Sequence, residues 1–292
     1  MRKISRITYF ILSSIFNSSL IAESPVRVFI LAGQSNMEGK GGVDPLLNYQ
    51  ILAPETREFF AHLHRNGKYV ERSDIWIDYL GRRGNLTVGY GSRGNIGPEL
   101  EFGNQMGDHF EEQVLLIKTA WGGKSLGRDF RPPSSGIPPK GKIDEFVMGM
   151  AKRDHNNWVK QKWNQLKKKA PKASRREAEA KVDKSIDQIW KENSDQYRKE
   201  VIESHGHYYR LMIKEVQDCL STLETRFPSY ERQGYEISGF VWFQGWNDMC
   251  NRHHISQYTD NMIHFIVDVR RDFESPNLPF IVGVLGVYGT DP

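Results

Sequence analysis

Cysteine is scarce in this chain. Only Cys219 and Cys250 occur among 292 residues. They lie far apart and in no metal-type spacing, so no metal site is expected. They stand as a possible disulfide or as two buried free thiols. Long apolar runs are equally scarce. The longest, Ile7 to Phe16, is too short for a secure membrane span, and stable membrane insertion is not expected. Charge of one sign barely dominates. The formal net charge is +4, which argues for neither a nucleic acid partner nor an acidic substrate. The glycine-rich stretch 37–42 lacks the Gly-Lys-Ser/Thr ending of a phosphate-binding loop. No cofactor is implied.

The remaining composition fits a globular protein with a sizeable core, 38% hydrophobic and 26% charged. The length suits one domain or one domain with an insertion. Residues 1–22 read as a signal peptide. Arg2, Lys3 and Arg6 form a basic head, an apolar stretch follows, and Ala22 is a plausible last residue before cleavage. Removal would take three basic residues away, bring +4 to +1, and leave an exported protein (periplasmic or secreted) spanning 23–292.

The chain is organised around Val26–Gly39, VRVFILAGQSNMEG. Its first half is an apolar, β-branched run of the kind that forms a buried parallel strand. Gly33, Gln34, Ser35 and Asn36 follow where that strand should end. Ligands of open α/β sheets bind outside the carboxyl ends of the strands. Ser35 is therefore either an exposed hydroxyl in a cleft or the cap of a helix in an ordinary polar turn. The pattern recurs twice. Val114–Ile117 runs into Thr119-Ala120-Trp121-Gly122-Gly123, and Ile237–Phe243 runs into Gln244-Gly245-Trp246-Asn247-Asp248. A fourth strand is expected over 279–285. Residues 64–97 read as a long ordered loop with brief strands such as Trp76–Tyr79. Helices are expected over 53–62, from Pro98 with Glu99 at its positive end, and, as amphipathic patterns, over 207–227 and 257–273. Strands alternating with helices imply a mainly parallel sheet between helical layers.

Lys140 to Lys184 breaks that pattern. It holds 14 basic and 6 acidic residues, follows the proline-rich 130–139, and stays polar to about Lys199. It reads as a basic helical insertion over about 140–200, with Trp158, Trp163, Ile186, Ile189 and Trp190 as anchors. Its charge suits either a solvated surface or docking onto an acidic polysaccharide or anionic surface.

The three strand-end blocks, GQSNM, TAWGGKS and VWFQGWND, resemble the SGNH (GDSL-like) hydrolases, and within them the sialate O-acetylesterase or carbohydrate esterase family 6 branch. The resemblance implies a three-layer α/β/α, flavodoxin-like fold and a serine esterase. Its substrate would be an acylated carbohydrate, with acetyl the foremost acyl group. It implies Ser35 as nucleophile and an oxyanion hole from the Ser35 amide, an amide of Gly122 or Gly123 (Gly123 slightly favoured), and the Gln244 side chain. Gln34, Asn36, Trp121, Trp246 and Asn247 become possible substrate contacts. Many relatives carry Glu where this chain has Trp246, which bears on the substrate subsite.

The family's general base is a histidine near the C-terminus, three residues after an aspartate. None of the nine histidines here has Asp or Glu at that offset. The expectation is a chain shortened relative to its family, with His253 and His254 as the internal substitutes. The competing expectations are an inactive homologue that binds carbohydrate, and a polyanion binder acting through the basic insertion. Oligomeric state is not legible.

Overall fold

The computed structural model describes residues 24–286. The signal-peptide reading of 1–22 lies outside the described residues. Six strands build the central sheet: β1 (Val26–Gly33), β2 (Arg72–Tyr79), β3 (Arg82–Leu86), β4 (Val114–Ala120), β5 (Tyr235–Phe243) and β6 (Phe280–Val282). Their spatial order is β3-β2-β4-β1-β5-β6. All neighbours run parallel except the edge pair β2–β3.

Side-chain alternation along β1 sorts its residues into two cores. Val28, Ile30 and Ala32 enter the cluster that contains Met212, Val216, Phe265 and Val269. Those residues come from α6 (His207–Ser221) and α7 (Arg252–Asp272). Phe29 and Leu31 enter the opposite cluster, against which Phe102 and Met106 of α2 (Pro98–His109) pack. A sheet apolar on both faces must be covered on both faces, and the result is the three-layer α/β/α arrangement. Among the described residues no helix is long and apolar enough to cross a membrane.

The structure corrects the reading of 64–97. Arg72–Tyr79 is an eight-residue strand of the main sheet, between β4 and the edge strand β3. Its polar opening, Arg72-Ser73-Asp74, disguises it, whereas Ile75 to Tyr79 are all buried. The cysteines do not pair. Cys219 is buried and Cys250 is exposed. Burial pushes the Cys219 thiol up to about 12.

The insertion is a helical module with its own core. α3 (Lys140–Lys169) pairs with α5 (Ile186–Ser204), and the short α4 (Arg175–Glu179) closes the turn between them. Ile143, Val147, Ala151, Ile189, Tyr197 and Val201 form a cluster separate from the sheet cores. Ile189 is a true anchor, while Trp158 is 38% exposed. Capping boxes at Ser174 and Ser185 begin α4 and α5.

Candidate active site

Three adjacent strands, β4, β1 and β5, end level with one another. Gly33 lies opposite Ala120 on one side and Phe243 on the other. The three glycine-bearing blocks therefore leave the sheet side by side. Gly33 makes this possible. Its φ is +153°, and a Cβ there would stand 2.3 Å from the Phe243 carbonyl oxygen. Behind it, Gln34 N–H donates to the Phe243 carbonyl and Trp121 N–H to the Gly33 carbonyl, each at 3.2 Å.

Ser35 opens α1 (Ser35–Glu38), a single turn, and is half-buried. As the first helical residue its amide has no intrahelical acceptor. Asn36 is exposed. Gly122 faces this turn. A Cβ on it would lie 3.9 Å from Ser35 Cβ and 2.9 Å from Glu38 Oε2. Gly123, at φ +75°, lies nearer Asn247 Nδ2. Neither glycine amide donates to a backbone carbonyl among the described residues. Gly122 is thus the glycine of this block whose Cβ direction faces Ser35.

Beneath the surface the blocks are tied by a buried amide and carboxylate network. Gln34, fully buried, accepts the Asn247 N–H at 3.2 Å and Gln244 Nε2 at 3.3 Å. Gln244 Nε2 also donates to the Lys124 carbonyl at 3.0 Å and to Asp248 Oδ2 at 2.5 Å. Tyr258 O–H donates to the Gln244 carbonyl groups. Asp248, in the third block, reads from the sequence as either a general acid or base or a helix cap. In the structure it accepts the Leu126 and Gly127 N–H groups, both at 2.8 Å, and so fastens the third block to the second. Gln34 Nε2 is buried without a partner.

His254 lies against this network, its Nδ1 3.6 Å from Asp248 Oδ1, beyond hydrogen-bond reach. Burial pushes its pKa down, while Asp248 pulls it up. His253 is half-buried at the start of the same helix. Ser35 forms no side-chain hydrogen bond with a histidine among the described residues. Trp246 is 53% exposed. Trp121 is not an open platform, because it packs edge-on against Tyr208 and beside Phe130. A cavity of about 330 Å³ opens beside Gln244 and Asp248, walled by Met249, Ile255, Tyr258 and Val284.

Sequence reasoning missed the ion pair under the Ser35 turn. Lys118 is fully buried and reaches Glu99, itself 1% exposed, at 2.6 Å. Its ammonium also donates to the carbonyls of Glu38 (2.9 Å) and Tyr90 (3.1 Å). A lysine directly after the apolar run Val114–Ile117, inside a strand buried on both faces, was the available signal.

The family profile described as carbohydrate esterase, sialic acid-specific acetylesterase matches residues 25–167 and 179–291. The chain belongs to this carbohydrate esterase family. A probable carbohydrate esterase of Arabidopsis thaliana is 29% identical over 79 residues, 27% of this chain and 26% of that protein. The match thus spans about a quarter of the curated relative's length. The X-ray structure from the same plant locus superposes with a TM-score of 0.45 at 18% identity, covering 91% of this chain and 76% of that one. A carbohydrate acetylesterase from Xanthomonas citri gives a TM-score of 0.42 at 12% identity, covering 88% and 41%. Within this family member, the profile's gap at 168–178 falls at the turn of the helical module.

Proposed function

We propose that this carbohydrate esterase hydrolyses O-acyl esters of sugars, acetyl foremost, with Ser35 as nucleophile. The observation that carries the reading is the level ending of β4, β1 and β5, which sets Ser35 beside Gly122. Attack by the Ser35 oxygen on an ester carbonyl generates an oxyanion. The Ser35 amide and an amide of Gly122 or Gly123 are free to meet it, each such donor lowering the barrier by about 3 kcal/mol. Gln244 is the third donor. Asp248 holds it in place, and it must release the Lys124 carbonyl to serve. Trp246, exposed at the rim, offers an apolar ring face to a sugar.

The serine hydroxyl needs a base to take its proton. His254, backed by Asp248, is the histidine nearest the buried network and is tested with His253. The assay is hydrolysis of p-nitrophenyl acetate and of acetylated sugars by the purified chain beside Ser35→Ala. Turnover that vanishes with Ser35→Ala supports the reading, and His253→Ala and His254→Ala then locate the base. Equal background rates from two folded proteins would overturn it and leave a sugar-binding homologue on an esterase scaffold.

A further inference from the structure

The helical module concentrates charge in a way the rest of the chain does not. Residues 140–199 hold 17 basic and 9 acidic side chains, a net +8, whereas the whole chain is net +4. The remainder is therefore net −4. Within the module the excess is not spread evenly. Residues 152–184 hold 12 basic and 4 acidic side chains, again a net +8, so the part nearest the sheet is neutral. These residues cover the distal half of α3, the turn and α4. Of the twelve basic groups only Arg153 and Lys184 have a carboxylate within ion-pair distance among the described residues.

A groove of about 350 Å³ lies in this end, lined by Trp158, Gln161, Lys162, Gln165, Lys181 and Lys184 together with one carboxylate, Asp183. The module's two neighbouring tryptophans have different duties. Trp163 donates its indole N–H to the Ala173 carbonyl and carries Lys167 over its ring, which holds the turn together. Trp158 has no such contact and is the one large apolar side chain of residues 140–199 that is widely exposed. An indole face, two side-chain amides and unpaired ammonium groups around one groove match the chemistry of a sugar ring that bears a carboxylate.

We propose that the distal end of the module binds a carboxylated polysaccharide, with Trp158 under a sugar ring and Lys162 and Lys181 on its carboxylates. The site is separate from the Ser35 turn and does not depend on ester turnover. A membrane surface fits less well, because Trp158 stands alone without an apolar face around it. A single-stranded nucleic acid would call for several stacking aromatics.

The test is binding of the full chain to de-esterified polygalacturonate, followed by affinity electrophoresis, with neutral galactan, single-stranded DNA and phosphatidylglycerol vesicles as comparisons. Retardation by polygalacturonate at about 50 mM salt should weaken by about tenfold or more at about 500 mM, where screening shortens the reach of each charge. Lys162→Glu with Lys181→Glu lowers the excess from +8 to +4 and should cost about tenfold at low salt. Trp158→Ala should weaken binding several-fold while leaving the salt dependence unchanged, which separates stacking from charge. Circular dichroism checks that the helices persist, and p-nitrophenyl acetate turnover should be the same in these variants as in the parent. Undiminished binding by either variant, or tighter binding to DNA or vesicles than to polygalacturonate, would overturn the proposal.

Discussion

Replacing Lys118 by methionine should be among the most damaging single changes outside the apolar cores. Methionine keeps the length of the side chain and removes its charge. Three partners then lose their donor: Glu99 Oε2 at 2.6 Å, and the carbonyls of Glu38 and Tyr90. Glu99 keeps the Gly97 N–H at 2.8 Å, but its charge is left alone at 1% exposure. Breaking one side of a buried ion pair costs about 3–5 kcal/mol. For a domain of this size that corresponds to a fall of about 10 °C in Tm. Urea unfolding followed by tryptophan fluorescence and circular dichroism measures it. Adding Glu99→Gln to Lys118→Met removes the uncompensated charge and should restore about 2 kcal/mol, since Gln still accepts from Gly97. A Lys118→Met protein within about 1 kcal/mol of the parent would refute the argument, as would a double variant less stable than Lys118→Met alone.

Gly33→Ala places a Cβ 2.3 Å from the Phe243 carbonyl at a φ that L residues avoid, and should cost about 3 kcal/mol by denaturant titration. Asp248→Ala strips the acceptor from the Leu126 and Gly127 amides and from Gln244. The expected loss is about 3 kcal/mol, together with any ester turnover, whereas Asp248→Asn should lose less. Burial pushes both His205 and His254 below the ordinary histidine value; the Val201 carbonyl opposes this at His205 and Asp248 opposes it at His254. The unfolded chain therefore binds their protons first. Their neutral forms favour the fold fully above about pH 6.5, and that stability is lost as pH falls towards 5. Unfolding free energy measured from pH 7.5 to 5 should fall, and His205→Gln with His254→Gln should flatten the slope. An unchanged slope would disprove this assignment.

Much of the architecture is written locally. The apolar runs of β1, β4 and β5 and the periodic helices at 98–109, 207–221 and 252–272 are patterns of neighbouring residues, and local pattern is what a sequence displays. The block GQSNM at a strand end singles out Ser35 as the candidate for the same reason. β2 was read only as a brief strand over Trp76–Tyr79 because its opening is polar, and its place in the main sheet arises only when β4 and β3 close around its apolar half.

The site as an assembly belongs to the tertiary structure. The blocks that carry Ser35, Gly122 and Gln244 are distant in the chain and leave the sheet side by side only because the sheet order sets β4 and β5 on either side of β1, with Gly33 level with Ala120 and Phe243. The duties of Lys118, Glu99 and Asp248 follow from burial. A charge in a strand or a turn acquires its partners only when the fold removes water and supplies amides and carbonyls from elsewhere. The basic composition of the insertion could be counted from the sequence. Its division into a neutral root and a charged end, with Trp158 left open and Trp163 tied to the turn, depended on how α3, α4 and α5 pack. Sequence alone determined the strand-end chemistry and the charge, because both are properties of contiguous residues. The tertiary structure decided which of those residues face one another, because strand order and burial are set by contacts between segments far apart in the chain.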